Sequence, residues 1–196
     1  GKWVGSLDSD ASIRGLNRFK EVSDLLSRAD KSGTEAAQWD VFNGGKVAMS
    51  YSNGWESCCI PKVGADWAFF PMPSVKAGKA SPAFLGGSNL AVPSYASNAK
   101  LAATWIRYYT NATQMKTIAL SGAIPNNTKM LGLISGAAAP VAAAAKNSWF
   151  VPGAVKWVDV ENANTLQTML ADIATGKKTV AKAAADASAE ITKLLN

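Results

Sequence analysis

The chain has 196 residues, 48% of them apolar and 17% charged, a composition that builds a core rather than a disordered chain. It holds no histidine, which excludes Ser-His-Asp and Cys-His catalysis and any His-ligated zinc or iron. The net charge of +6 is scattered and lysine-dominated, with no basic run longer than Lys177-Lys178 and no interleaving with aromatics, so no nucleic-acid partner is expected.

The chain opens at Gly1 with neither an initiator Met nor a signal peptide, and we expect a processed chain or part of a longer one. No run of 18 apolar residues is present, so no segment is expected to span a membrane. Residues 2–7 read as a short strand. Asp8, Ser9 and Asp10 offer N-caps for a helix to about Arg28, with Ile13, Leu16, Phe19, Val22, Leu25 and Leu26 as its buried stripe. Lys31-Ser32-Gly33 should end it. A short helix fits 34–43, with Trp39, Val41 and Phe42 as apolar content and Gly44-Gly45 as its stop.

Residues 46–51 are strand-like, and Asn53-Gly54 is a strong turn signal. A buried strand is expected at 66–70, closed by Pro71 and Pro73, then an exposed loop over 74–82. Phe84 to Pro93 reads as a strand interrupted by Gly86-Gly87. Ser97 or Asn98 can cap a helix through Tyr109, with Leu101, Ala102, Trp105, Ile106 and Tyr109 on its apolar face. A further helix fits 112–121, ended by Gly122, and 137–146 is weakly helical. Two helices close the chain, 161–175 and 179–195, separated by Gly176. Strands alternating with helices predict an α/β protein. The strands are too few to close a sheet by themselves.

Three constellations could carry chemistry. Ser52-Asn53-Gly54-Trp55-Glu56 puts an indole, an amide and a carboxylate on one turn. An aromatic plane can cover a sugar's C–H face while Asn or Glu bonds its hydroxyls; the competing reading makes Trp55 an ordinary core residue. Gly86-Gly87-Ser88-Asn89 lacks the Lys-Ser/Thr of a phosphate loop and the third glycine of a dinucleotide fingerprint. It is either a bulge or hinge, or a place where a ligand approaches the backbone. Cys58 and Cys59 are adjacent; two reduced, half-buried thiols are favoured over a strained disulfide or a bridge to absent sequence. Glu56 and Asp66 are the acids to weigh for glycosidase chemistry, but nothing pairs them, and Glu161 suits a helix start.

Taken in order, several segments resemble a known family. They are Phe42-Asn43-Gly44-Gly45-Lys46-Val47-Ala48-Met49, then Asn53-Gly54-Trp55, Pro71-Met72-Pro73, and Leu85 through Pro93. Gly122-Ala123-Ile124-Pro125-Asn126, Trp157-Val158-Asp159-Val160-Glu161 and the Thr175-Gly176-Lys177-Lys178 break follow. Their order and spacing are similar to the C-terminal half of an extracellular solute-binding protein of ABC sugar importers, of the maltose-binding-protein-like class. The resemblance implies a periplasmic-binding-protein-like type II fold, present in part as the helix-rich C-terminal half of a two-lobed protein about twice this length. It places 1–83 in the C-terminal lobe, 84–134 in a hinge crossing and a segment lent to the N-terminal lobe, and 135–196 back in the C-terminal lobe.

It further implies a binding subunit rather than an enzyme, with sugar held in an interlobe cleft for import. Trp55 matches the family's cleft tryptophan that stacks on a sugar ring. Gly86, Gly87, Ser88 and Asn89 match a cleft-lining segment at the crossing. Asn53 and Glu56 are candidates by proximity, and Trp157 either lines the cleft or packs beneath it. The segment Glu161-Asn162-Ala163-Asn164 lacks the aromatic cluster of maltose-type members, which turns the expectation toward oligosaccharide or amino-sugar binders, such as chitobiose binders. Expected partners are the sugar and the permease subunits. The protein is expected to be a monomer outside the cytoplasm, lipid-anchored through sequence not present here, with no cofactor and no metal. A carbohydrate-active enzyme and an interaction domain without a small ligand are the alternatives.

Overall fold

The computed structural model describes residues 1–27, 31, 38–60 and 66–196. Its contacts divide the chain into two compact units, Gly1–Ala37 with Val151–Asn196, and Gln38–Phe150.

The first unit is built from α1 (Asp10–Leu25), and later in the chain from α6 (Trp157–Asn162), α7 (Thr165–Ala174) and α8 (Val180–Leu195). Ser9 caps α1, its hydroxyl accepting from the Ser12 N–H. Thr179 caps α8 in the same way through the Lys182 N–H. The core face of α8 carries Val180, Ala183, Ala184, Ala187, Ile191 and Leu195, a spacing of three and four that keeps one stripe inward. Met169 and Ile173 of α7 meet the first half of that stripe, with Ile13 and Leu16 of α1 packed against them. Ala154 and Val160 meet the second half, with Trp157 and Leu166 alongside. Between α7 and α8 the chain turns at Gly176, whose φ of +74° is the left-handed conformation that ends many helices.

Three expectations change in this unit. The helix predicted over 161–175 is two helices, broken where Asn164 takes φ +51°. Only Ile13 and Leu16 of the predicted α1 stripe are used; Phe19, Val22, Leu25 and Leu26 are exposed. Residues 2–7 form no strand. Backbone groups need partners, and here side chains of α8 and of Asn196 at its C-cap supply them. The Gly5 N–H donates to Thr192 Oγ1 at 2.8 Å, and Asn196 Nδ2 donates to the Trp3 carbonyl at 2.8 Å. The end predicted near Arg28, the stop at Ser32-Gly33, and residues 34–37 of the next predicted helix lie outside the described residues.

The second unit contains α2 (Gln38–Asn43), a 3₁₀ turn at Gly54–Cys58, β1 (Ala83–Phe84), α3 (Ala99–Tyr109) and α4 (Ala112–Leu120). Further 3₁₀ turns at Thr128–Leu133 and Gly136–Ala138 lead into α5 (Ala139–Ala145) and β2 (Ser148–Trp149). Its core joins Ala119 of α4, Leu131, Ile134 and Ala142 of α5. β1 and β2 pair in parallel, Ala83 with Ser148 and Phe84 with Trp149.

Among the described residues this two-stranded ladder is the only sheet. The predicted strands at 46–51 and 66–70 have no ladder partners among the described residues, and the one over 84–93 shrinks to its first residue. The alternation survives at 66–70, where the rings of Trp67 and Phe69, two residues apart, meet at 5.6 Å. The predicted apolar face of α3 exists but no residue of α3 is buried; Trp105 is 55% exposed and stacks on Tyr109 instead, with centroids 5.2 Å apart. No described helix is long and apolar enough to cross a membrane.

Candidate functional site

The turn signal at Asn53-Gly54 becomes one turn of 3₁₀ helix, with Asn53 as its N-cap residue and Glu56 at the third helical position. A carboxylate at that position can reach back to the capping residue and fill its free N–H. Glu56 Oε1 accepts from the Asn53 backbone N–H at 3.2 Å and from Asn53 Nδ2 at 2.8 Å. The side chain is 0% exposed, and Oε2 has no hydrogen-bond partner among the described residues. The acid therefore faces inward and locks the turn.

Locking the turn turns Trp55 outward: the indole is 61% exposed. Such a surface is unusual for tryptophan, which is mostly buried in folded proteins. One further contact holds the turn. A Cβ on Gly54 would lie 2.5 Å from Val141 Cγ1, so the peptide here presses directly onto α5 and only glycine fits. On the other side, the ring of Trp39 in α2 meets Trp55 at 5.4 Å with the planes 65° apart, an edge contact. At the end of the turn, Asn43 Nδ2 donates to the Cys59 carbonyl at 2.7 Å, and Asn43 Oδ1 is buried without a partner among the described residues.

The remaining candidates fall elsewhere. Gly86, Gly87, Ser88 and Asn89 follow β1 and are all exposed. Neither glycine adopts a positive φ, so the double glycine is not used here for an unusual backbone angle. A Cβ on Gly86 would meet only Phe84 Cε1, at 3.4 Å, and one on Gly87 would meet nothing within 4 Å. Trp157 belongs to the other unit, where its indole N–H donates to Glu161 Oε1 at 2.8 Å and its body packs on the Val160–Ile191 core. Glu161 is thus engaged by Trp157, and Asp66 is exposed. Cys59 is disulfide-bonded, which corrects the favoured reading of a reduced thiol; the side chain of Cys58 lies outside the described residues.

A shallow hollow of about 410 Å³ opens at the start of α3, lined by Ser97, Asn98, Ala99, Lys100, Leu101 and Thr104. None of the candidate residues takes part in it. Among the described residues, no group of three or more Cys, Asp or Glu side chains could hold a metal ion.

The turn thus presents an exposed indole with the Asn53 amide beside it, braced from within by the buried Glu56 carboxylate. Comparison with known proteins gives the chain a family. Residues 3–148 match the family of bacterial extracellular solute-binding proteins. The chain belongs to that family. It is also 30% identical to the diacetylchitobiose binding protein DasA of Streptomyces coelicolor over 207 aligned positions, covering 99% of this chain and 48% of DasA. The chain thus spans about half the length of that relative. Solute-binding proteins are not enzymes, so the family assignment sets the carbohydrate-active-enzyme alternative aside.

Sequence reading counted Trp39 only as apolar content of a short helix and did not foresee its contact with Trp55. Glu56 was expected as a ligand contact, and its role as an inward brace was not read, although the signal was available: an Asn followed three positions later by Glu is the pattern of a capping box.

Proposed function

We propose that the whole protein is the substrate-binding component of an ABC importer, capturing a sugar or oligosaccharide in its interlobe cleft. An amino-sugar disaccharide is the class we favour, because the relative that aligns across this chain is named for diacetylchitobiose. The observation that carries the reading is Trp55: an indole left 61% exposed on a turn braced from within by a buried carboxylate. A ring of this kind stacks on the C–H face of a pyranose with little ordering cost, because the turn is already set. Exposed Asn53 supplies a polar group beside it. Glu56 acts by holding the turn.

The Gly86-Gly87-Ser88-Asn89 segment, exposed and free of neighbours at Gly87, fits backbone contact with the sugar at the hinge crossing. Of the two roles open to Trp157, packing beneath the cleft fits better, since its N–H is committed to Glu161. The lobe assignment of 1–83, 84–134 and 135–196 belongs to this reading of the two-lobed protein. So do a monomeric state, a position outside the cytoplasm with a lipid anchor, and closure that presents a surface to the permease.

The test is a calorimetric titration of the whole protein with N,N′-diacetylchitobiose, with maltose as comparison. Trp55→Ala should weaken sugar binding at least about tenfold, or about 1.4 kcal/mol. Unchanged affinity in a folded variant removes Trp55 from the site. Absence of binding to any sugar favours the interaction-domain alternative.

A further inference from the structure

We propose that Trp39 is a positioning residue for sugar binding: it fixes the plane of Trp55 from outside the turn and acts on the ligand only through that ring. The inference rests on the sugar-binding reading of Trp55.

The argument starts from α2. Even helices of about a dozen residues are marginal in water, so packing must hold the described turns of α2, Gln38–Asn43. Two of its side chains dock on the Trp55 turn, and they are Trp39 and Asn43, four residues apart and therefore on one face. Trp39 touches Trp55 near the start of the turn; Asn43 bonds the Cys59 carbonyl just past its end. Their docking lays α2 along the turn rather than against it at one point. The other restraints named above act on the backbone: Glu56 holds Asn53, and Gly54 abuts Val141. They set where Trp55 begins, not how its ring is turned.

A tryptophan that is 61% exposed has few contacts to choose its rotamer. Trp39 supplies one, at 5.4 Å and 65°, in the tilted edge geometry that aromatic pairs favour. A stacking site needs its ring held near the productive plane by a neighbour that is itself held. Trp39 is half-buried and sits one helical turn from the Asn43 anchor, so it meets that requirement.

The test is a double-mutant cycle in the whole protein, read as the Kd for N,N′-diacetylchitobiose, with thermal melting to confirm folding. Trp39→Ala should weaken binding about fivefold when Trp55 is present and change nothing further in a Trp55→Ala background. Trp39→Phe, which keeps a ring edge, should recover most of the affinity. Should Trp39→Ala fail to fold, Trp39→Leu against Trp39→Phe makes the same comparison, and equal affinities overturn the proposal. Loss in Trp55→Ala with no loss in Trp39→Ala overturns the positioning role and leaves the sugar site standing. A Trp39 effect that persists without Trp55 also overturns it, because Trp39 would then touch sugar itself. No loss in Trp55→Ala overturns both readings.

Discussion

Glu56 shows how much one side chain decides at this surface. Its carboxylate is fully buried, yet it supplies the two bonds that fix Asn53 and so send Trp55 outward. Removing it leaves the Asn53 N–H without its partner and a void beneath the turn. Glu56→Ala should therefore lower the unfolding free energy by about 2 kcal/mol in urea denaturation. Glu56→Gln keeps an acceptor oxygen and the volume of the side chain, and should cost less than half as much. Equal losses in the two variants would contradict a bracing role. The turn itself was legible, since Asn-Gly marks it and Glu three positions after Asn fits a capping box. Trp39 was not legible as a neighbour of Trp55, because nothing local in the sequence reports a contact across 16 positions.

Elements divide by how local their causes are. Most helices followed from apolar spacing and caps, α6 being the exception, and Ser9, Asn111 and Thr179 each bond the N–H that the capping rule names. Strands depend on partners elsewhere, and 46–51 and 66–70 find none among the described residues. The link from α7 to α8 shows local control most clearly. Gly176 has φ +74° and open space where a Cβ would go, so Gly176→Ala meets only backbone strain. It should cost about 1 kcal/mol, seen as a lower melting temperature, and no change would contradict the left-handed turn.

Beyond that glycine, Asp172 is 7% exposed at its side chain and bonds Lys177 and Lys178 at 3.2 and 3.1 Å. Lys178 also bonds Asp186 at 3.1 Å. The Lys178 bond is the main cause that holds the Asp172 carboxyl below its ordinary value of 3.8, against burial, which pushes it up. Asp186 is lowered chiefly by Lys182, then Lys178. The stability these acids supply is complete above their unfolded values and is lost as pH falls through their lower folded ones. Lys178 is raised, so its share is present below 10.5 and is lost as pH rises through its folded value. Melting should therefore weaken below about pH 4, and Asp172→Asn should flatten that decline. An unchanged acid slope in the variant would contradict the assignment.

On the scale of the molecule, the family is the firmest result: residues 3–148 match bacterial extracellular solute-binding proteins, and the whole chain aligns with about half of DasA. The sequence segments that resemble this family were legible because each is a local signal in a fixed order. The α/β expectation was only partly legible, since a parallel ladder of two residues per strand is all the sheet that the described residues form. Apolar surface is left open in the second unit, on α3 at Leu101, Trp105 and Tyr108 and beside the ladder at Phe84 and Trp149. Ligand binding is accordingly a property to read on the whole protein. The central claim is that the braced, exposed Trp55 receives a sugar. Titration of the whole protein and its Trp55→Ala variant with N,N′-diacetylchitobiose tests it most directly. Saturable binding that weakens at least about tenfold in the variant is the predicted result; equal affinity in the two proteins would contradict it.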